Sequence, residues 1–153
     1  MFTHATELAA LDHRVWGNLA DALWQVEGSR PEAQSAYQHA IALARKSLEV
    51  NARDAVSWSQ LAHYCARARD SSDVRSYTSR ALQLNPDDPN VRYYSALTAL
   101  ELGDPAAALE SLGRAVVLGY PAPLVRAAPD FASLRSDARF RQLLAQADKP
   151  PAG

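Results

Sequence analysis

Chemistry in this 153-residue chain would have to come from a small set of side chains. The four histidines, His4, His13, His39 and His63, are scattered, form no HExxH pair, and have no carboxylate at a spacing that would complete a metal site. The single cysteine, Cys65, falls on the apolar side of a helical run, where core packing suits it better than nucleophilic work. Alone it can form neither an internal disulfide nor a cysteine-rich zinc site. There is no GxSxG elbow, no Gly-rich phosphate loop, and no HRD or DFG motif. The residues therefore point to a chain that acts without catalysis, metal or cofactor, although local motifs are silent on sites assembled from distant segments.

Charge and hydropathy narrow the classes further. Sixteen basic and seventeen acidic residues give a net charge of −1, which favours neither nucleic acid nor an anionic membrane surface. Lysine occurs only at Lys46 and Lys149, and arginine elsewhere. No apolar run approaches the roughly 20 residues of a membrane helix. The opening MFTHATELAAL lacks the basic and sustained apolar segments of a signal peptide.

What must position any functional side chain is a set of helices, clearest from Ala55 to Asp88. Val56, Trp58, Leu61, Ala62, Cys65 and Ala66 mark one helical face, and Arg69-Asp70-Ser71-Ser72 break it. A second run turns Val74, Tyr77, Thr78, Ala81, Leu82 and Leu84 inward before Asn85-Pro86 stops it. Upstream, Val15, Trp16, Leu19, Ala20 and Leu23 predict an equivalent first helix. Gly28, Ser29 and Pro31 supply the turn, and Ala33, Tyr37, Ala40, Ile41, Ala44, Leu48 and Val50 line the helix after it. Downstream, residues 89–120 repeat the unit at 34 residues, with Leu102-Gly103-Asp104 as the turn and Pro105 opening the next helix.

Trp16 and Trp58, read as packing residues, lie 42 residues apart instead of 34. One extra residue falls in the turn and seven after Ile41, which is about two helical turns. The spacing predicts a lengthened helix whose segment ALARKSLEV projects from one edge. In the third unit Arg92 replaces the tryptophan and Ser95 stands where Leu61 stood. Beyond it, Pro121, Pro123 and Pro129 cut the chain into short pieces, and Ser136 or Asp137 can cap a last helix. Leu124, Phe131, Leu134, Phe140 and Leu143 are expected to form a cover for the exposed end.

Two helices joined by a short turn and closed by Asn85-Pro86 after 34 residues, with the next unit in register at 34, resemble the tetratricopeptide repeat family. VWGNLADALW, AYQHAIALARKSLEVNARD, LAHYCARARD and ALESLGRAVVLGYPAPLVRAAPDFASLRSDARFRQLL together resemble the repeat region near the C-terminus of bacterial multidomain regulators, notably eukaryotic-type serine/threonine kinases and some adenylate cyclases. The resemblance implies an all-α, right-handed solenoid of antiparallel helix pairs with a C-terminal capping helix. Its divisions are 13–54, 55–88 and 89–120, with a cap at 121–147. Residues 1–12 are either the end of a preceding repeat or an N-terminal cap, and residues 148–153 are a tail.

The resemblance also implies that ligands meet the concave face through defined repeat positions. In the first repeat these hold Arg14, Gly17, Asn18, Asp21, Trp24 and Gln25; in the second, Val56, Ser59, Gln60, His63, Ala66 and Arg67; in the third, Asn90, Tyr93, Tyr94, Leu97, Leu100 and Glu101. Arg14, Asn18, Asp21, Trp24, Gln60, His63, Arg67, Tyr93, Tyr94 and Glu101 are the candidate partner-binding residues, amides for peptide backbone and aromatic rings for rigid contact. Gly17 and Asp21 occupy the places where the family's carboxylate clamp has lysine and asparagine, so that clamp is not expected. Arg67-Ala68-Arg69-Asp70 reads as a solvated helix end.

The expectation is a non-catalytic module that recruits a protein or peptide beside a catalytic domain located elsewhere, in a bacterial signalling protein. Two alternatives remain: a scaffold for homo-oligomerisation, including a homodimer, and a sensory domain for a small molecule, which needs a closed pocket. The expected compartment is the cytoplasm, or the periplasm if the parent protein spans a membrane.

Overall fold

Three aspartates set the frame. Asp12, Asp54 and Asp88 each precede a helix and accept hydrogen bonds from the first-turn amides of Arg14, of Ser57, and of Asn90 and Val91. They satisfy donors that a helix N-terminus otherwise leaves open. A computed structural model describes residues 9–70 and 72–149, so the reading of residues 1–12 falls largely outside the described residues, as does most of the tail. The helices are α1 (His13–Trp24), α2 (Arg30–Val50), α3 (Ala55–Arg67), α4 (Val74–Leu84), α5 (Pro89–Glu101), α6 (Pro105–Val117), α7 (Ala122–Ala127) and α8 (Ala138–Ala147). A 3₁₀ turn over Pro129–Leu134 lies between α7 and α8, and the described residues contain no strand. The fold is all-α.

The helices pack in series as the hairpins α1/α2, α3/α4 and α5/α6, with α8 against α6 and α7. Among the described residues, the turn inside each hairpin has one residue at positive φ: Gly28 at 82°, Arg69 at 60° and Gly103 at 80°. Glycine adopts that conformation without strain, and arginine does not. A second device recurs at the start of each hairpin. The indole N–H of Trp16 donates to the carbonyl of Ala10 at 2.9 Å, and that of Trp58 to Ala52 at 2.9 Å. Arg92, the apparent departure, donates through Nε to Pro86 at 2.7 Å, across the same six-residue interval. It takes over the tie that the tryptophans make.

α2 has the predicted extra length, but its end does not stand free. Ala44 and Leu48 are buried and join the apolar cluster of Leu61 and Ala62, so the added turns lie on the core while Val50 is solvent-exposed. The core is divided: Tyr37, Ile41, Leu61, Tyr64, Cys65 and Val74 belong to one cluster, and Leu97, Leu112, Phe131, Leu134, Phe140 and Leu144 to another. Only Ala55, Ala81 and Val91 form a buried group at the seam between them. Cys65 is buried as expected, and desolvation pushes its thiol up to about 12. At the C-terminal end Phe131, Leu134 and Phe140 cover α5 and α6 as predicted, but Leu124 is exposed; α7 turns Ala122 and Val125 inward in its place. Asp137, not Ser136, caps α8.

Candidate functional site

α3 is the central helix, packed by α2, α4 and α5 and bonded to α1, and it buries polar residues as well as apolar ones. Most of the candidate binding residues lie on the side where α1, α3 and α5 approach one another. They divide into an open end near the helix N-termini, a closed middle, and a far end occupied by the chain's own C-terminal segment.

At the open end a cleft of about 540 Å³ is lined by Asp12, His13, Arg14, Asp54, Val56, Ser57 and Gln60, with Leu11 and Ser47 at its margin. Arg14 is exposed and paired with Asp12 at 2.8 Å, and Asn18 is exposed one turn further on. Beneath them His13 is buried, with Nε2 3.1 Å from Ser57 Oγ and Nδ1 3.2 Å from Tyr64 OH. Ser57 donates its one proton to Asp54 at 2.8 Å. His13 must then donate to Ser57 and accept from Tyr64, which is the reverse of the polarity that would activate a serine nucleophile. Burial pushes the His13 pKa down, so the ring is neutral near pH 7. Tyr64 lies directly over Gly17, where an added Cβ would be 2.4 Å from the hydroxyl. The glycine that looked like a clamp position is there for close packing.

In the middle, Asp21 accepts from Tyr37 and bonds His63 Nε2 at 2.8 Å. Its burial opposes ionisation, but those two bonds prevail and hold its carboxyl below the usual range. His63 is buried, with Nδ1 unpartnered and the Tyr94 ring 5.8 Å away. Gln60 Oε1 is buried and has no partner.

At the far end Arg67 is buried, which corrects its reading as part of a solvated helix end. Its Nη2 donates to Asp130 at 2.7 Å, its Nε lies 3.0 Å from Glu101, and its guanidinium stands 4.7 Å from the Trp24 ring. Arg30 covers the same indole at 3.7 Å, and Gln25 also donates to Asp130. Trp24 is therefore partly buried, with two cations against its ring. Tyr93 stacks on Tyr120 at 4.2 Å and meets Phe131 edge-on, so it packs against the cap.

The structure thus brings Trp24, Arg67 and Glu101 together, joins Asp21 to His63, and leaves Arg14 and Asn18 facing outward. Sequence reasoning missed His13, Tyr120 and Asp130. Asp130 comes from a segment read only as an end cover, and nothing local marks it as a partner for Arg67, 63 residues away.

Among the described residues no group of three or more His, Cys, Asp or Glu could hold a metal ion, and no helix is long and apolar enough to cross a membrane. No family model matches the sequence, and no curated protein matches it.

Proposed function

We propose that the chain is a tetratricopeptide-type solenoid that recognises a peptide or protein at the open end of the α1/α3/α5 face. The observation that carries this reading is Gln60 Oε1, a buried amide acceptor without a partner on a residue that lines the cleft of about 540 Å³. A buried acceptor left unmatched is disfavoured, and a peptide N–H would satisfy it. Arg14, which lines the same cleft, adds an exposed cation, and Asn18 an exposed amide one turn further along α1. The 34-residue register, the recurring aspartate caps and the shared turn geometry support the repeat assignment. The likeness to regulators of the kinase type supports a docking role within a bacterial, cytoplasmic signalling protein, with no cofactor required.

Panning the full chain against a displayed random-peptide library tests the reading. Selected peptides are expected to lose affinity about tenfold for the Arg14→Ala and Asn18→Ala variants, a size typical of interface contacts. Peptides that bind both variants as tightly as the native chain would place recognition elsewhere.

A second reading, self-association, is favoured by another observation. Leu11, Val15, Leu19, Ala22 and Val26 form an exposed stripe on and beside α1. The equivalents of Val15 and Leu19 in later hairpins, Ser57 and Leu61, then Val91 and Ser95, are all buried. This face therefore has the positions by which one hairpin seats on another, and a second copy could supply the missing partner. Light scattering across a concentration series checks it, with Leu19→Lys expected to return any dimer to monomer.

A further inference from the structure

The seam between the second and third hairpins holds an opening with its own chemistry. Leu61, 1% exposed, fills the α2/α3 seam, whereas Ser95, 34 residues later, offers only a hydroxymethyl group to the α4/α5 seam. α5 touches α4 only lightly, and a cleft of about 340 Å³ lies there, within the range of small-molecule sites. Thr78 of α4 and Ser95 of α5 line it, but each donates its hydroxyl proton to its own helix, to Val74 and Val91. Thr98 Oγ1 is different. Its residue is 1% exposed, it lines the cleft, and the oxygen has no partner. A buried hydroxyl without a bond is disfavoured, and a ligand atom that meets it removes the deficit.

The rim carries one charge of each sign. Arg75 makes no ion pair among the described residues. Asp104 uses Oδ1 to cap α6 through the Ala107 amide, which leaves Oδ2 for another donor. A phosphate would meet Asp104, a diamine would meet Arg75, and the lining has no aromatic ring on which a sugar could stack. Opposite charges over a small hydroxyl-and-methyl floor match a small zwitterion. We propose that this cleft binds a free α-amino acid with a short neutral side chain, its carboxylate on Arg75, its ammonium on Asp104 and its side chain towards Thr98. The proposal concerns a different surface from the α1/α3/α5 face and stands independently of peptide recognition there.

Thermal shift and isothermal titration of the full chain with glycine, L-alanine, L-serine and L-threonine test it, with L-lactate and ethanolamine as probes lacking one charge. At least one amino acid should raise the melting temperature by binding the folded state, and the two single-charge probes should not. Arg75→Gln and Asp104→Asn should each weaken binding about tenfold or more, as expected for losing a charged hydrogen bond. Asparagine still caps a helix, so Asp104→Asn keeps the fold. Ser95→Leu should abolish binding while leaving the ligand-free chain at least as stable. No response to any amino acid, or binding that survives Arg75→Gln or Ser95→Leu, overturns the proposal and leaves the cleft to water.

Discussion

The two seams of this stack are both crossed by polar ties, from His13 and Asp21 of α1 to Ser57, Tyr64 and His63 of α3 at the first and from Arg67 to Glu101 and Asp130 at the second, but one packing position differs between them. Between the first and second hairpins the contact is apolar and close: Leu61 joins Ile41, Ala44 and Leu48 in one cluster, and Tyr64 of α3 lies over Gly17 of α1. Between the second and third hairpins Ser95 replaces the leucine, a cleft opens behind it, and Arg67 of α3 pairs with Glu101 and Asp130. One packing position thus differs between the seams, filled by leucine at the first and left open beside serine at the second. At the second seam the cap's Asp130 also helps to hold the units together. A buried guanidinium requires such partners, because an unpaired buried charge is strongly destabilising.

The contrast is broken most severely at Leu61. Leu61→Ala should cost about 2–5 kcal/mol, the range for emptying a buried leucine site. Ser95→Leu, the converse change, should stabilise by about 1 kcal/mol if the added side chain fills the cleft. Urea denaturation of both variants against the native chain checks the pair. Equal losses at the two positions would show that the seams do not differ as described.

Gly17→Ala comes next. In an open helix the change would gain up to about 1 kcal/mol, but here the new Cβ would press on a Tyr64 ring that is 2% exposed and bonded to His13. A net loss of about 1–3 kcal/mol is expected, as for overpacked sites.

These two positions also show how far the sequence could be read. Local signals were legible: a cap at Ser136 or Asp137, Gly103 and Pro105 at the third turn, and the lengthened second helix all act through neighbours in the chain. Gly17 carried a signal as well, because glycine inside a helix usually marks a close approach, but the incoming ring belongs to a residue 47 positions away. The repeat positions that place a residue on the α1/α3/α5 face do not say how closely those helices approach. His63 and Arg67 were expected on an open groove, and Asp21 and Asp130 instead draw them into buried pairs. Arg92 illustrates the opposite case. It looked like a loss of the tryptophan signal, yet its long donor-bearing side chain reaches the same kind of carbonyl.

The first seam should also respond to pH through His13. Burial lowers its pKa from the ordinary 6.5, Arg14 adds to the fall, and Asp12 and Asp54 oppose it. The unfolded chain therefore binds the proton more readily, and stability present above pH 6.5 is lost as pH falls through that value towards the lower folded pKa. Denaturation midpoints at about pH 7.5 and about pH 5 should differ in the native chain and differ less in His13→Gln. An unchanged difference would show that other groups carry the acid sensitivity.

The smallest effect is expected where the middle hairpin departs from its neighbours. Arg69 holds φ at 60° in the turn that leads into α4, where the first and third hairpins have Gly28 and Gly103. The left-handed conformation costs a side-chain-bearing residue roughly 1–2 kcal/mol, and glycine's greater unfolded freedom returns part of that. Arg69→Gly should therefore stabilise the chain by about 0.5–1 kcal/mol. Arg69 is exposed and makes no ion pair among the described residues, so no side-chain contact should offset the gain. Because α4 forms one wall of the cleft at Ser95, the same variant separates turn strain from seam packing. Amide exchange should slow in the turn and along α4, and stay unchanged at Ser95 and Thr98, if the looseness of the second seam comes from the missing leucine. If protection also rises across α5, the strained turn is what holds α4 away from it.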